Sequence, residues 1–359
     1  MLINVIPEAD STTGTWAAHT AITANVKKTT EEINKEQKDA GVDTWTAETV
    51  DGYKRGDFIP FKVTTLIPNY PQNSLYATFE ITDTPTGLKF VNDATHPLTL
   101  KVSDTDVTAN ATQTVNTAAD NETFKITVAD NSLVVTFDKE YILGNPGAAV
   151  ELTYWAELIA TENVSHNHAT IEYNRNPNES TTQKPFDEVE ENTYGFTLLK
   201  YKEGDTNKDP LVGASFTLWT AATDGTQIQV IYDDAITIKD AQGQDTTVAG
   251  YRPIKAGETA ADYIVAADGT ASVYCLGDQD YYLQEDIAPA NFTPMDGRQL
   301  IHPSASTSVA GIDVEIPNTE GNLLPETGGI GTTIFYVAGI VLVLGAAAVI
   351  IARRKAEQE

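Results

Sequence analysis

The chain has 359 residues, which is enough for two or three domains, and a formal net charge of −28 at pH 7. This acidity argues against nucleic-acid binding, which depends on Lys and Arg contacts with phosphate. The single cysteine, Cys275, excludes an intramolecular disulfide, and its strand-like spacing from Val273 predicts a small buried side chain.

The N-terminal segment, residues 1–25, contains Leu2-Ile3-Asn4-Val5-Ile6-Pro7 and then Trp16. It resembles the strand that closes the N-terminal domain of a Gram-positive pilin, so we expect that domain and a signal peptide to lie upstream. In that family a Tyr-Pro-Lys motif follows and its lysine receives the next subunit's threonine. The motif is absent here, which leaves Lys27 either as the polymerising lysine or as a plain surface lysine.

The segment from Thr29 to Ala40 is mostly charged, and it predicts a loop or a short surface helix. From Phe58 to Asn318 the pattern is instead one of short alternating runs rich in Thr, Val, Ile and Tyr, separated by Gly, Pro, Asn and Asp. Such runs are typical of antiparallel β-sandwiches. We therefore predict an all-β fold with two tandem immunoglobulin-like sandwiches.

The first predicted domain spans residues 26–177, with Phe79-Glu80-Ile81-Thr82-Asp83-Thr84 and Asn167-His168-Ala169-Thr170-Ile171-Glu172-Tyr173 as marker runs. It resembles the fimbrial isopeptide-formation domain of backbone pilins, the CnaA-like D2 type. The resemblance implies a Lys28–Asn167 isopeptide bond promoted by Asp83. In a strand every second side chain points to the same face, and this alternation places each of the three residues on a mainly apolar face. Lys27 and Asn174 fall on the opposite faces and are weaker candidates for the bond. The alternative is that all three are solvated residues at strand ends.

The segment 178–193 combines Pro, Asn, Ser and Thr with the acidic run Asp187-Glu188-Val189-Glu190-Glu191. This composition predicts an interdomain linker.

The second predicted domain spans residues 194–319. Its marker runs are Pro210-Leu211-Val212-Gly213-Ala214-Ser215-Phe216-Thr217-Leu218, Tyr281-Tyr282-Leu283-Gln284-Glu285-Asp286-Ile287-Ala288-Pro289-Ala290 and Val314-Glu315-Ile316-Pro317-Asn318. They resemble the CnaB-type domains of pilins and adhesins. The resemblance implies a spontaneous isopeptide bond between Lys200 and Asn318, with Glu285 as the assisting acid.

Strand periodicity independently places Lys200, Glu285 and Asn318 on apolar, core-facing stripes. Burial favours the neutral forms of an amine and a carboxyl group. A neutral amine can attack the asparagine carbonyl while a carboxylic acid polarises it and shuttles the proton. The alternative is a buried Lys–Glu ion pair beside an uninvolved asparagine.

The C-terminal segment, residues 320–359, contains Leu324, Pro325, Glu326, Thr327 and Gly328, an uncharged apolar run over 330–352, and Arg353-Arg354-Lys355. As a helix the apolar run would cross a bilayer core of about 30 Å, with the basic tail on the cytoplasmic side. This order resembles the LPXTG cell-wall sorting signal, the substrate of sortase. The resemblance implies cleavage between Thr327 and Gly328 and transfer of Thr327 to an amine.

Other chemical signals are weak. His166 and His168 stand two residues apart without an evident third metal ligand, and neither a catalytic triad nor a phosphate loop is present. We predict no cofactor, no metal site and no turnover activity.

The combined interpretation is a structural cell-surface protein of a Gram-positive bacterium, membrane-anchored before sorting. The favoured form is a backbone-type pilus subunit; the alternative is a non-polymerising adhesin or a basal pilin. The implied partners are sortase, peptidoglycan or neighbouring pilin subunits, and a host surface ligand, but no nucleic acid.

Overall fold

The computed structural model describes residues 8–9, 16–17, 31–110, 112–115, 124–239, 244–303 and 311–321. Within these ranges the chain is almost entirely β-structure, which confirms the predicted all-β class. None of the helices in these ranges is long and apolar enough to cross a membrane. The predicted span 330–352 lies outside the described residues, as do Lys27, Lys28 and the pentapeptide 324–328.

Two short strands precede the first sandwich and pair antiparallel: β1 (Glu8–Ala9) and β2 (Trp16–Ala17). Among the described residues, the first sandwich contains fourteen further strands and two short helices. The strands are β3 (Ile33–Lys38), β4 (Trp45–Thr46), β5 (Phe58–Leu66), β6 (Phe79–Thr86), β7 (Leu88–Val91), β8 (Thr99–Val102), β9 (Thr105–Asp106), β10 (Thr112–Val115), β11 (Phe124–Ala129), β12 (Ser132–Phe137), β13 (Ala149–Leu158), β14 (Val164–Asn174), β15 (Thr182–Gln183) and β16 (Phe186–Asn192). The helices are a 3-10 turn (Thr108–Asn110) and α1 (Lys139–Gly144).

These strands form two sheets. One has the order β4-β3-β5-β13-β8-β9, with β7 also on β13, and the other has the order β10-β11-β12-β6-β14-β15, with β16 also on β14. Alternate residues of the long strands point inward, as in Ile59, Phe61 and Val63 of β5 and Ala169 and Ile171 of β14. One continuous apolar cluster fills the space between the sheets.

Two predictions for this region differ from the structure. The segment Thr29–Ala40, predicted as a loop or surface helix, contains strand β3, because Ile33, Lys35 and Gln37 alternate inward although two of them are polar. The segment 178–193, predicted as a linker, contains β15 and β16, which extend the sheet along β14. Its acidic run alternates, so Val189 and Glu191 are buried while Glu188 and Glu190 face outward.

The second sandwich has a core cluster of its own and, in the ranges that the structure describes, ten strands. They are β17 (Tyr194–Lys202), β18 (Ala214–Trp219), β19 (Gln227–Ile228), β20 (Val230–Lys239), β21 (Asp245–Pro253), β22 (Ile264–Ala266), β23 (Thr270–Leu276), β24 (Tyr281–Ile287), β25 (Arg298–Ile301) and β26 (Val314–Asn318). Its sheets have the orders β20-β21-β23-β17-β26 and β19-β18-β24-β25, with β22 also on β18. The first and last strands, β17 and β26, are parallel neighbours.

The two sandwiches meet through polar and backbone contacts. Arg55 of the first sandwich forms an ion pair with Glu258 of the second at 3.2 Å, and Arg252 binds the same carboxylate at 2.8 Å. The Arg55 backbone N–H donates to the Cys275 carbonyl at 3.0 Å. Gly56 has φ +88°, and a Cβ there would lie 2.5 Å from the Ile254 carbonyl oxygen, so this position requires glycine.

Candidate functional site

The second sandwich brings Lys200, Glu285 and Asn318 together inside its core. The fully buried Lys200 side chain extends from β17 toward β26, where Asn318 is 2% exposed. The strands pair Lys200 with Ile316 and Lys202 with Asn318, so Lys200 and Asn318 are diagonal neighbours on the same face. All three residues predicted for this domain therefore lie in one cluster.

Contacts within this cluster link an amine, an amide and a carboxyl group. Nζ of Lys200 donates a short hydrogen bond to Oδ1 of Asn318. Oε1 of Glu285 accepts from Nδ2 of Asn318 at 2.9 Å and lies 3.3 Å from Nζ of Lys200. The other carboxyl oxygen of Glu285 accepts from the backbone N–H of Met295 at 2.7 Å. The Glu285 carboxyl group thus bridges the prospective nucleophile and the prospective leaving nitrogen.

Burial also sets the protonation preference of the amine. It lowers the pKa of Lys200, although the negative charge of Glu285 and its hydrogen bond act in the opposite direction. A lowered pKa increases the fraction of neutral amine, which is the nucleophilic form.

In the first sandwich, the lysine that contacts Asp83 is Lys35 of β3. Nζ of Lys35 is in direct contact with Oδ2 of Asp83 and lies 2.5 Å from the Tyr154 hydroxyl. The Tyr154 hydroxyl donates to Asp83 at 2.5 Å and accepts from Nδ2 of Asn167 at 3.3 Å. The side chains of Lys35, Asp83 and Asn167 are all completely buried. The structure therefore brings together the predicted Asp83 and Asn167, with Lys35 as their lysine.

Electrostatics in this cluster favour neutral groups. Burial lowers the pKa of Lys35 and raises that of Asp83, and in each case it outweighs the attraction between the two side chains. The rings of Phe61 and Tyr154 lie 5.4 and 5.3 Å from Nζ of Lys35 and exclude water from the amine. Within the described part of the chain, Oδ1 of Asp83 and Oδ1 of Asn167 are buried without a hydrogen-bond partner. A proton on Asp83 would turn one of these acceptors into a donor.

Sequence reasoning also missed Glu191, which is 1% exposed and carries two carboxyl oxygens without hydrogen-bond partners among the described residues. Burial raises its pKa well above the usual value, although the charge of Lys35 acts against this. The burial of Lys35 and Glu191 could have been predicted from their spacing. Each stands two residues after an apolar residue, Ile33 or Val189, within a mostly charged run, and therefore shares its face of the strand.

Comparisons with known proteins agree with this architecture. The family model described as "LPXTG cell wall anchor motif" matches residues 316–357. Among curated proteins the sequence has no match.

Solved structures of similar fold include pilus proteins. The pilus backbone RrgB of Streptococcus pneumoniae has a TM-score of 0.52 at 16% identity, over 81% of this chain and 100% of that one. The 35 kDa C-terminal fragment of the major pilin GBS80 of Streptococcus agalactiae has a TM-score of 0.52 at 17% identity, over 81% and 100%. The T6 backbone pilin of Streptococcus pyogenes has a TM-score of 0.51 at 15% identity, and the match covers 80% of this chain and 57% of that one.

The fold and the terminal motif together define the cellular context. The chain has the fold of Gram-positive pilus backbone proteins and ends in an LPXTG cell wall anchor motif. It is a cell-wall surface protein of a Gram-positive bacterium.

Proposed function

We propose that this protein is a backbone-type pilus subunit that sortase assembles or anchors and that two self-formed Lys–Asn isopeptide bonds stabilise. The observation that carries the proposal is the buried Lys200, Asn318 and Glu285 cluster, in which one carboxyl group touches both the amine and the amide nitrogen. The second bond would join Lys35 to Asn167, with Asp83 as the acid.

In the second sandwich, the neutral Lys200 amine attacks the side-chain carbonyl carbon of Asn318. The new C–N bond forms as the bond from that carbon to Nδ2 breaks. The attacking amine loses one proton, the leaving NH₂ group gains one, and ammonia departs. Glu285 lies within 3.3 Å of both nitrogens and can accept the first proton and deliver the second. The reaction occurs once per chain, so the protein is a substrate of its own chemistry rather than a turnover enzyme.

In the first sandwich, the same exchange would join Lys35 to Asn167. Asp83 contacts the lysine amine, and the Tyr154 hydroxyl connects that pair to the Asn167 amide nitrogen. This bond would cross between the two sheets, because β3 belongs to one and β14 to the other. It would not join the first strand to the last, because β15 and β16 follow β14.

Such bonds would stabilise the fold both at equilibrium and under tension. Each closes a loop of more than 100 residues, and on the chain-entropy model a cross-link of that span contributes about 4–5 kcal/mol against unfolding. The Lys200–Asn318 bond would also connect the strand that enters the second sandwich to the strand that leaves it toward residue 327. Tension between the two ends would then pass through a covalent bond rather than through the hydrogen bonds between strands.

At the C-terminus, a sortase cysteine would attack the Thr327 carbonyl, release Gly328 and pass the acyl group to an amine. The amine would belong to a neighbouring subunit in a polymer or to peptidoglycan in a wall anchor. A lysine such as Lys27 is the candidate acceptor on this chain.

Two measurements test the proposal. Intact-mass analysis of the full chain should show a deficit of two ammonia molecules, and a mass equal to the sequence mass would overturn the isopeptide bonds. Cell-wall extracts of the producing bacterium should contain an SDS-resistant ladder of high-molecular-weight bands. A single band that disappears in a Thr327→Ala variant would instead assign the protein as a non-polymerising adhesin or basal pilin.

A further inference from the structure

The outer face of the first sandwich carries a cluster of two histidines and two glutamates. His166 and His168 point outward from β14, and Glu188 and Glu190 point outward from β16. Nδ1 of His166 lies 3.4 Å from Oε1 of Glu190 and 3.5 Å from Oε1 of Glu188. We propose that this cluster is a zinc-type metal site with His166, Glu188 and Glu190 as ligands.

The register of the two strands produces this arrangement. β14 and β16 run antiparallel, with His166 opposite Glu190 and His168 opposite Glu188. Directly opposite residues place their side chains on the same face, about 5 Å apart at Cβ. The intervening residues Asn167 and Val189 point into the core. Two adjacent cross-strand pairs therefore aim four potential ligands at one patch of surface.

The contacts of His166 with the two carboxylates, at 3.4 and 3.5 Å, fit a metal ion better than direct hydrogen bonds. The usual N–H···O distance is about 2.7–3.2 Å, and Nδ1 of His166 has no hydrogen-bond partner among the described residues. Ligands about 2.0–2.1 Å from a tetrahedral zinc ion lie about 3.3–3.4 Å from one another. The ligand atoms of His166, Glu188 and Glu190 all lie within 4.8 Å of one another, so small side-chain rotations would complete the geometry.

His168 supplies the support that such a site requires. Unlike His166, His168 makes a hydrogen bond within the cluster: its Nδ1 lies 3.3 Å from Oε2 of Glu188, the carboxylate oxygen that does not face His166. The His168 ring also stacks on Phe186, with the ring centroids 4.6 Å apart. A hydrogen bond from the His168 imidazole N–H to Oε2 would fix the orientation of the Glu188 carboxylate and leave Oε1 free to bind the metal.

Local charge favours a cation at this position. Among the described residues, the ion-pair partners of Glu188 and Glu190 are histidines and include neither lysine nor arginine. The mixture of imidazole and carboxylate ligands suits Zn²⁺ and similar transition metals more than Ca²⁺ or Mg²⁺, which prefer oxygen ligands. A bound metal would join β14, which carries Asn167, to β16, which carries Glu191 and leads into the second sandwich. This inference does not depend on the proposed pilus function.

The test is a calorimetric titration in which Zn²⁺ is added to the full chain in detergent micelles. One bound zinc per chain is expected, with no comparable heat from Mg²⁺. Substitution His166→Gln should weaken binding by about 100-fold, and His168→Gln by about tenfold, as is typical for removal of a group that orients a ligand. Absence of binding to the unaltered chain, or binding unchanged by His166→Gln, would overturn the proposal.

His302 provides the matched control, since it is an exposed histidine between two carboxylates, those of Asp278 and Asp280. His302→Gln should leave zinc affinity unchanged, and an equal loss in this variant would assign the binding to scattered histidines. X-ray absorption of the zinc-loaded chain should show only nitrogen and oxygen neighbours. A sulfur neighbour would point to Cys275 and contradict the site.

Discussion

Lys35 and Asp83 contact each other across the interior of the first sandwich, and both side chains are completely buried. The two residues belong to different sheets, β3 in one and β6 in the other. A buried charged pair of this kind is expensive to maintain unless further groups satisfy it. Burial shifts both pKa values toward the neutral forms, which suits aminolysis of an amide better than a permanent ion pair.

This relationship predicts which lysine forms the bond of the first sandwich. Lys35→Ala should raise the intact mass of the full chain by one ammonia relative to the unaltered chain, after correction for the substitution itself. The reason is that Asn167 would keep its side-chain amide without the amine that attacks it. Lys28→Ala is the control, because Lys28 is the lysine that the sequence pattern favoured.

The opposite outcome is equally informative. If Lys28→Ala restored the ammonia and Lys35→Ala did not, the bond would involve Lys28, and the Lys35–Asp83 contact would be a structural ion pair. Tandem mass spectrometry of the cross-linked peptides would identify the joined lysine directly.

A second prediction concerns the acid of the second sandwich. Glu285→Gln preserves the size of the side chain but cannot relay a proton between Lys200 and Asn318. The variant should retain one additional ammonia and lose up to about 4–5 kcal/mol of unfolding free energy, the value expected for a cross-link of this span. Chemical denaturation and intact mass, measured on the same sample, would check both effects.

Glu315→Gln is the control for this substitution, since Glu315 lies on β26 near Asn318 but is exposed and pairs with Lys208. It should leave both the mass deficit and the stability nearly unchanged. A Glu285→Gln chain with the full ammonia deficit would remove Glu285 from its proposed role.

The two sandwiches differ in how well their buried polar residues could be predicted from the sequence. In the second sandwich, Lys200, Glu285 and Asn318 each end an apolar stripe, as in Phe196, Leu198, Lys200, so parity alone placed them in the core. The all-β class followed from the same alternation. Apolar stripes are a strong signal because the hydrophobic effect acts on every second residue of a half-buried strand.

In the first sandwich, the same rule failed for β3 and β16. The inward residues of β3 are Ile33, Lys35 and Gln37, so a single apolar residue marks the face that is buried. Their burial depends on partners distant in sequence: Asp83 for Lys35, and the backbone carbonyls of Glu48 and Glu190 for Gln37. Periodicity reports apolar burial but gives no information about polar groups that tertiary contacts satisfy. The glutamates beside His166 were missed for a different reason: the periodicity of one strand does not show which strand lies next to it, and the pairing of β14 with β16 brings them together.

A third prediction concerns acid sensitivity at the junction between the sandwiches. Burial would raise the pKa of Glu258, but hydrogen bonds from Arg252 and the Lys255 backbone N–H, with the charges of Arg55 and Arg252, lower it from 4.5 to about 2. A carboxyl group whose pKa is lower in the folded state stabilises that state above the unfolded pKa. The contribution should therefore be complete at neutral pH and be lost as the pH falls from about 4.5 to about 2.

Glu258→Gln isolates this contribution. The variant should be less stable than the unaltered chain at neutral pH, and the difference should shrink near pH 2, where a large fraction of Glu258 is itself protonated. Urea denaturation at both pH values measures this difference. Glu151→Gln, which removes an exposed partner of Lys101, should show a much smaller effect at either pH. A difference in unfolding free energy between Glu258→Gln and the unaltered chain that does not change with pH would contradict the lowered pKa of Glu258.

A fourth prediction uses Cys275 as a reporter of the same junction. Cys275 is 3% exposed, as its strand spacing predicted, and its Sγ lies 3.9 Å from the Thr161 carbonyl oxygen of the first sandwich. Burial raises the pKa of the thiol to about 12, although Arg55 and Arg252 act against this. Because the thiolate is the reactive form, iodoacetamide should not modify the folded chain at mildly alkaline pH but should add once per chain in urea.

Separation of the two sandwiches should expose this thiol without global unfolding. Arg55→Ala removes the first-sandwich partner of Glu258, so it should accelerate alkylation while the cores and the mass deficit remain intact. Lys54→Ala is the matched control, because Lys54 pairs with Asp57 within the first sandwich. Equal alkylation rates in the folded and urea-unfolded unaltered chain would show that Cys275 is not protected by the junction.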